Sequence, residues 1–73
     1  MTLEEIIQPG HAVRVFYNPG NINNRLIHIR AIVDEDQVVF RWWSKHKQCW
    51  IYQVEDMYYF TLRHNDGRLT LVK

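Results

Sequence analysis

Four histidines and one cysteine are the side chains of this chain best suited to bind a metal or to attack a substrate. The histidines lie on different predicted strands or loops, without the paired spacing of common zinc sites; they are His11, His28, His46 and His64. Cys49 has no neighbouring histidine in the sequence that could act as its base. We therefore expect surface or core-edge histidines, an inert thiol and no bound metal.

The acidic residues also lack a catalytic or cation-binding pattern. They occur in short groups at predicted helix or turn positions, namely 4–5, 34–36, 55–56 and 66. No EF-hand spacing accompanies them, the three glycines form no phosphate-binding loop, and no serine stands in a nucleophile elbow. The sequence thus predicts neither an enzyme nor a cofactor.

Aromatic and basic residues form the pattern that does indicate a function. Three tryptophans, four tyrosines and three phenylalanines occur in 73 residues, and most lie within 40–60. They alternate there with polar or basic residues at a period near two, which indicates β-strands. Arg41, Lys45 and Lys47 lie in the same region, and segment 37–54 contains no acid. We expect at least one ring to be exposed beside these cations, as on a binding surface.

The elements that position these side chains are a short capping helix and a series of strands. Thr2 followed by Glu5 is a capping box, and Pro9-Gly10 ends the helix that it starts. Asn18-Pro19-Gly20-Asn21 and Asn65-Asp66-Gly67 indicate turns. The predicted segments are a helix over 2–8 and strands over 11–17, 25–33, 38–43, 49–54, 58–63 and 69–72, with one helical turn at 55–57.

Strand register follows from keeping polar groups out of the core. A five-residue loop at 44–48 sets Trp43 opposite Cys49, whereas a four-residue loop would bring Gln53 into the core opposite Phe40 at a desolvation cost. The five-residue loop is therefore preferred. The predicted core is Val13, Val15, Ile27, Ile29, Ala31, Val38, Phe40, Trp42, Trp50, Tyr52, Tyr58, Phe60 and Leu62.

The same register predicts the outer, basic-aromatic face of the sheet. Arg30 is expected opposite Arg41, and His28 opposite Trp43, with two lysines above them on the loop. The candidate binding residues are therefore Arg30, Arg41, Trp43, Lys45 and Lys47, with His28 at the edge.

Three interpretations of this face remain open. An exposed tryptophan beside arginine is typical of a protein interface, including a homodimer. It also suits stacking on a base of single-stranded nucleic acid while the cations neutralise phosphate. The third interpretation is ordinary packing of Arg41 on Trp43. A net charge of +1 argues for a protein partner or self-assembly over nucleic acid.

The order of elements resembles the Src-homology-three-like small barrels, a class that includes the KOW and Tudor modules. The resemblance lies in the capping helix, the three-strand meander and the opening Gln8-Pro9-Gly10-His11-Ala12-Val13-Arg14-Val15, although KOW modules commonly have Asp where this chain has His11. It implies an all-β fold, a small five- to six-strand, mostly antiparallel barrel. It also implies a binding function, without naming the ligand.

Length and composition limit the remaining possibilities. A chain of 73 residues forms one small domain, 1–73, and its single cysteine allows no internal disulfide. One unpaired cysteine, an acidic N-terminus and no long apolar run predict a cytoplasmic protein without a membrane partner. We expect a stand-alone, non-catalytic binding module.

Overall fold

The computed structural model describes residues 1–17 and 23–72, so the predicted turn at 18–21 lies outside the described residues. The elements are α1 (Leu3–Ile6), β1 (Ala12–Phe16), β2 (Asn24–Val33), β3 (Gln37–Ser44), β4 (Cys49–Asp56), α2 (Met57–Asn65) and β5 (Leu69–Val72). The five strands form one antiparallel sheet in the order β4-β3-β2-β1-β5. The mostly-β, antiparallel prediction is confirmed, but the sheet is open and not closed into a barrel.

Helix α2 replaces the fifth predicted strand. The helical period leaves Phe60 buried, whereas Tyr58 and Leu62, predicted inside, are exposed at 69% and 44%. The segment Asn65-Asp66-Gly67, which was predicted to be a turn between two strands, ends this helix instead. Gly67, with φ +70°, donates its N–H to the carbonyl of His64, and the next N–H bonds to Arg63 at 2.7 Å. These are the two bonds of a Schellman motif, which favours the same glycine as a hairpin turn.

The core lies between one face of the sheet and the two helices. Phe60 of α2 packs edge-on against Phe40 of β3, with ring centroids 5.7 Å apart. Ile6 of α1 and Ile7, which caps the end of this helix, close the same core. The buried apolar residues are Ile6, Ile7, Val13, Val15, Ile27, Ile29, Val38, Phe40, Phe60 and Leu69. Because both helices lie on this face, no element within residues 1–17 and 23–72 covers the other face.

The capping box of α1 is confirmed. The N–H of Glu5 donates to Oγ1 of Thr2 at 3.3 Å, and the N–H of Thr2 donates to Oε1 of Glu5 at 3.0 Å. The backbone N–H of Thr2 and then its hydroxyl stabilise the carboxylate and lower the pKa of Glu5 below 4.5. Thr2 thus satisfies donors that a helix start otherwise leaves unpaired.

We expect Thr2→Ala to lower the free energy of unfolding by about 0.5–2 kcal/mol, because the cap is lost. Urea unfolding measures this, with Thr2→Ser as the control that keeps the hydroxyl. Since the folded pKa of Glu5 is lowered, its share of the stabilisation is present above pH 4.5 and is lost as the pH falls through the folded pKa. A Thr2→Ala chain that is as stable as Thr2→Ser at neutral pH would contradict the capping role.

A β-bulge in β2 changes the predicted faces of its second half. Ile29 pairs with Phe40 and Ala31 with Val39, so Arg30 is the extra residue. Beyond the bulge Ile32 packs against the core, and Val33 is 46% exposed. The predicted inward position of Ala31 is therefore wrong, because one unpaired residue reverses the alternation along the strand.

The β3–β4 hairpin has a four-residue turn at 45–48, not the predicted five-residue loop. Ser44 pairs with Cys49 and Trp43 with Trp50. The hydroxyl of Ser44 accepts the N–H of Lys47 at 3.1 Å, and the carbonyl of Ser44 accepts the N–H of Gln48 at 2.8 Å. These bonds stabilise the shorter turn.

The desolvation argument against this register fails because β4 is an edge strand. Gln53 does lie opposite Phe40, but it is exposed and its Oε1 accepts the indole N–H of Trp42 at 2.9 Å. The one-residue shift reverses the face of every β4 side chain. Trp50 and Tyr52, predicted in the core, therefore lie on the outer face.

Candidate binding surface

The face of the sheet away from the helices carries a row of aromatic and cationic side chains. Cross-strand pairing sets His28 beside Arg41, Arg41 beside Tyr52, and Trp43 beside Trp50. We call this group the aromatic row; it comprises His28, Arg41, Trp43, Trp50 and Tyr52. Val39 and Val54 pair on the same face and extend it with apolar surface.

Trp50 is the centre of the aromatic row. The ring of Trp43 meets it edge-on at 5.4 Å between centroids, and the ring of His28 does the same from another side. Edge-to-face pairs of this kind contribute about 0.5–1.5 kcal/mol beyond the area they bury. The three rings therefore hold one another in fixed orientations within the chain itself.

The guanidinium group of Arg41 is held in place by two rings of the aromatic row. Its Cζ lies 4.1 Å from the Trp50 ring centroid, and Nη1 donates to the hydroxyl of Tyr52 at 3.1 Å. Its Nε is buried and has no hydrogen-bond partner among the described residues. Arg41 is thus a half-buried cation that Trp50 and Tyr52 hold in one orientation.

The structure brings together some of the predicted site residues and separates others. His28, Arg41 and Trp43 share the outer face, and Trp43 is 46% exposed. The predicted pairs Arg30–Arg41 and His28–Trp43 are wrong, because Arg41 lies opposite His28. Arg30 is exposed at the bulge and does not face Arg41.

Lys45 and Lys47 are exposed on the turn that joins β3 to β4. Among the described residues the one ion pair is Arg68–Asp66, at 2.6 Å, so no described carboxylate lies within 4.0 Å of either lysine or of Arg41. None of these three cations therefore has a partner of opposite charge in the described chain. The two lysines lie at the end of the aromatic row.

Trp50 and Tyr52 are the surface residues that the sequence prediction missed. Their exposed fractions are 37% and 58%. The signal that identifies them is Ser44, whose hydroxyl and carbonyl both support the four-residue turn. Cys49 also changes place: it lies opposite Ser44 and is exposed, not covered by Trp43.

A second group of stacked cations lies on the core side of the sheet. Cζ of Arg25 is 3.7 Å from the Trp42 ring, and Cζ of Arg63 is 3.7 Å from the Tyr59 ring. Burial is the main cause that raises the pKa of Tyr59. A cavity of about 280 Å³ lies beside these rings. It is smaller than most ligand pockets, and both guanidinium groups are engaged by rings, so the outer face is the stronger candidate.

Comparison with family models, curated proteins and solved structures finds no match to this chain. Within residues 1–17 and 23–72, no three His, Cys, Asp or Glu side chains converge as a metal site would require. The helices in this part of the chain are too short or too polar to cross a membrane.

Proposed function

We propose that this chain is a non-catalytic binding module whose aromatic row binds a protein partner. The observation that carries the proposal is the exposure of large apolar side chains on an uncovered sheet face. A one-sided antiparallel sheet usually presents polar side chains to water on its free face. Here Trp43, Tyr52 and Val54 are 46%, 58% and 57% exposed.

The composition of the aromatic row supports a protein interface. Tryptophan, tyrosine and arginine are the residue types that most often dominate binding energy when they become fully desolvated. Trp43 and Arg41 both already contact Trp50, so fewer rotamers need ordering on association. Exposed apolar patches on small domains commonly mark such interaction sites. The exposed thiol of Cys49 suits a reducing compartment such as the cytoplasm.

Single-stranded nucleic acid is the second candidate, favoured by the cations around Trp43. Lys45 and Lys47, on the turn after Trp43, are exposed and suit phosphate neutralisation while a base stacks on the indole. Titration with oligothymidylate and oligouridylate separates the two candidates. Nucleic-acid binding would weaken steeply as salt rises, because counterions are released. Apolar contact with a protein is screened much less.

Site-specific photo-crosslinking tests the protein-binding proposal. A photoreactive phenylalanine replaces Tyr52 on the outer face or Tyr58 on α2, two exposed tyrosines on opposite layers. In extract of the cells that express the chain, we expect a discrete adduct between this chain and a different protein from position 52 and none from position 58. Equal adducts from both positions would contradict the proposal. Adducts that nuclease removes would favour nucleic acid instead.

A further inference from the structure

The outer edge of β4 is a long pairing surface without a neighbour in the described chain. β4 is the first strand in the sheet order, and it pairs with β3 through eight consecutive residues without a bulge. Its sequence, CWIYQVED, contains no lysine and no proline. Proteins normally protect sheet edges with short strands, lysine, proline or bulges. From Cys49 to Val54 β4 has none of these protections, and its two charged residues, Glu55 and Asp56, lie at its end.

The opposite edge of the sheet differs in this respect. β5 has four residues, Leu69–Val72, and offers half the length of the eight-residue β4. A short edge strand is one of the usual ways to prevent pairing between sheets. The fold is therefore protected at one edge and open to pairing at the other.

Charge identifies the strand that fits this open edge. Lys45 and Lys47 precede β4 on the turn, and the strand ends in Glu55 and Asp56. A second copy of β4 running antiparallel would place the lysines of each copy near the acids of the other. A parallel second copy would instead bring like charges together, which is destabilising between neighbouring strands. The edge is thus self-complementary in the antiparallel direction.

Side chains on the outer face favour the same arrangement. Trp50, Tyr52 and Val54 alternate along β4 and are all exposed. Residues directly opposite on antiparallel strands have Cβ atoms about 4.5–5.5 Å apart, which is close enough for aromatic and β-branched side chains to pack. Pairing would bring these three side chains against those of the second copy.

We propose that two copies of this chain pair antiparallel along β4, so that their five-stranded sheets join into one continuous sheet. The pairing uses the strand edge, and it leaves the outer face of each copy open. It would place the two aromatic rows side by side. This proposal does not depend on a protein partner for the aromatic row.

Sedimentation of the full chain from micromolar to millimolar concentration measures the pairing. We expect the mass to rise to twice the 8.9 kDa of one copy. Gln53→Lys puts a like charge on both edges and should weaken the dimer about tenfold. The matched control is Thr70→Lys, an exposed residue of the other edge strand, which should leave the dimer unchanged. A mass of 8.9 kDa throughout would overturn the proposal.

Two charge variants, each measured alone and then in a mixture, test the direction of pairing. Lys45→Glu/Lys47→Glu makes both ends of the edge acidic, and Glu55→Lys/Asp56→Lys makes both ends basic. Each variant alone should dimerise more weakly than the natural chain, and an equimolar mixture should form a heterodimer. If each folded variant alone dimerised as tightly as the natural chain, the antiparallel arrangement would be ruled out, because a parallel pair faces like charges in the variants and in the natural chain alike. Circular dichroism confirms folding of every variant.

The dimer and the protein-binding proposal fail separately. Trp43 lies on β3, away from the β4 edge, so Trp43→Ala should weaken partner crosslinking and leave the dimer constant unchanged. Gln53→Lys should weaken the dimer and leave partner crosslinking unchanged. A dimer lost through Trp43→Ala and unaffected by Gln53→Lys would show that two outer faces pack together, and the edge proposal would be wrong.

Discussion

Phe60→Ala is expected to unfold a large fraction of the protein at room temperature. The Phe60 side chain has no exposed surface, and it contacts Phe40 of β3 and Tyr59 of its own helix. Truncating a buried phenylalanine costs about 3–5 kcal/mol. A core of this size rarely supplies more than about 3–5 kcal/mol in total. The substitution therefore removes most of the stability that the domain has.

Urea unfolding followed by circular dichroism measures this effect. Tyr58→Ala and Leu62→Ala are the matched controls, because both side chains lie on α2 and are exposed at 69% and 44%. We expect each control to change stability by about 0.5 kcal/mol or less. Similar losses of stability in all three variants would instead fit a strand in which Tyr58, Phe60 and Leu62 all face inward. That result would contradict the helical assignment of 57–65.

Trp50→Ala is expected to weaken partner binding more than any other single change in the aromatic row. Trp50 orients His28, Trp43 and Arg41, so its removal loses one contact surface and the alignment of three neighbours. Truncation of a central interface tryptophan costs about 2 kcal/mol or more, which is about thirtyfold in affinity. Trp43→Ala should cost about 1–3 kcal/mol, since it removes one anchor.

Competition against the crosslinked adduct at position 52 measures both losses. Purified natural chain should suppress the adduct, Trp50→Ala should require about thirtyfold more protein, and Tyr58→Ala should match the natural chain. Trp50 is partly exposed on an uncovered face, so the variant is expected to stay folded. Full competition by a folded Trp50→Ala chain would show that the aromatic row is not the binding surface.

Local patterns of the sequence predict much of the architecture. The capping box at Thr2 and Glu5 gives the start of α1, and alternating residues locate the first four strands near their observed bounds. These features depend on a few neighbouring residues, which is why they can be read without tertiary information. Trp43 could likewise be placed on the exposed face from its position beside Arg41.

The errors arise where tertiary context decides between local alternatives. The aromatic run Tyr58-Tyr59-Phe60 favours a strand by propensity, but docking of Phe60 on the sheet is compatible with a helix. The cost assigned to Gln53 assumed a closed barrel, in which β4 would be covered on its inner side. In an open sheet that side chain reaches solvent, and the register is free to shift.

Hydroxyl-radical labelling of the aromatic row, with and without cell extract, tests most directly whether this surface binds a protein. The purified chain and the chain in extract are labelled at equal concentration and compared by mass spectrometry. The proposal predicts that oxidation of Trp43, Trp50 and Tyr52 falls in extract, while that of Tyr58 is unchanged. Unchanged labelling of all four residues, or a decrease at Tyr58 alone, would contradict it.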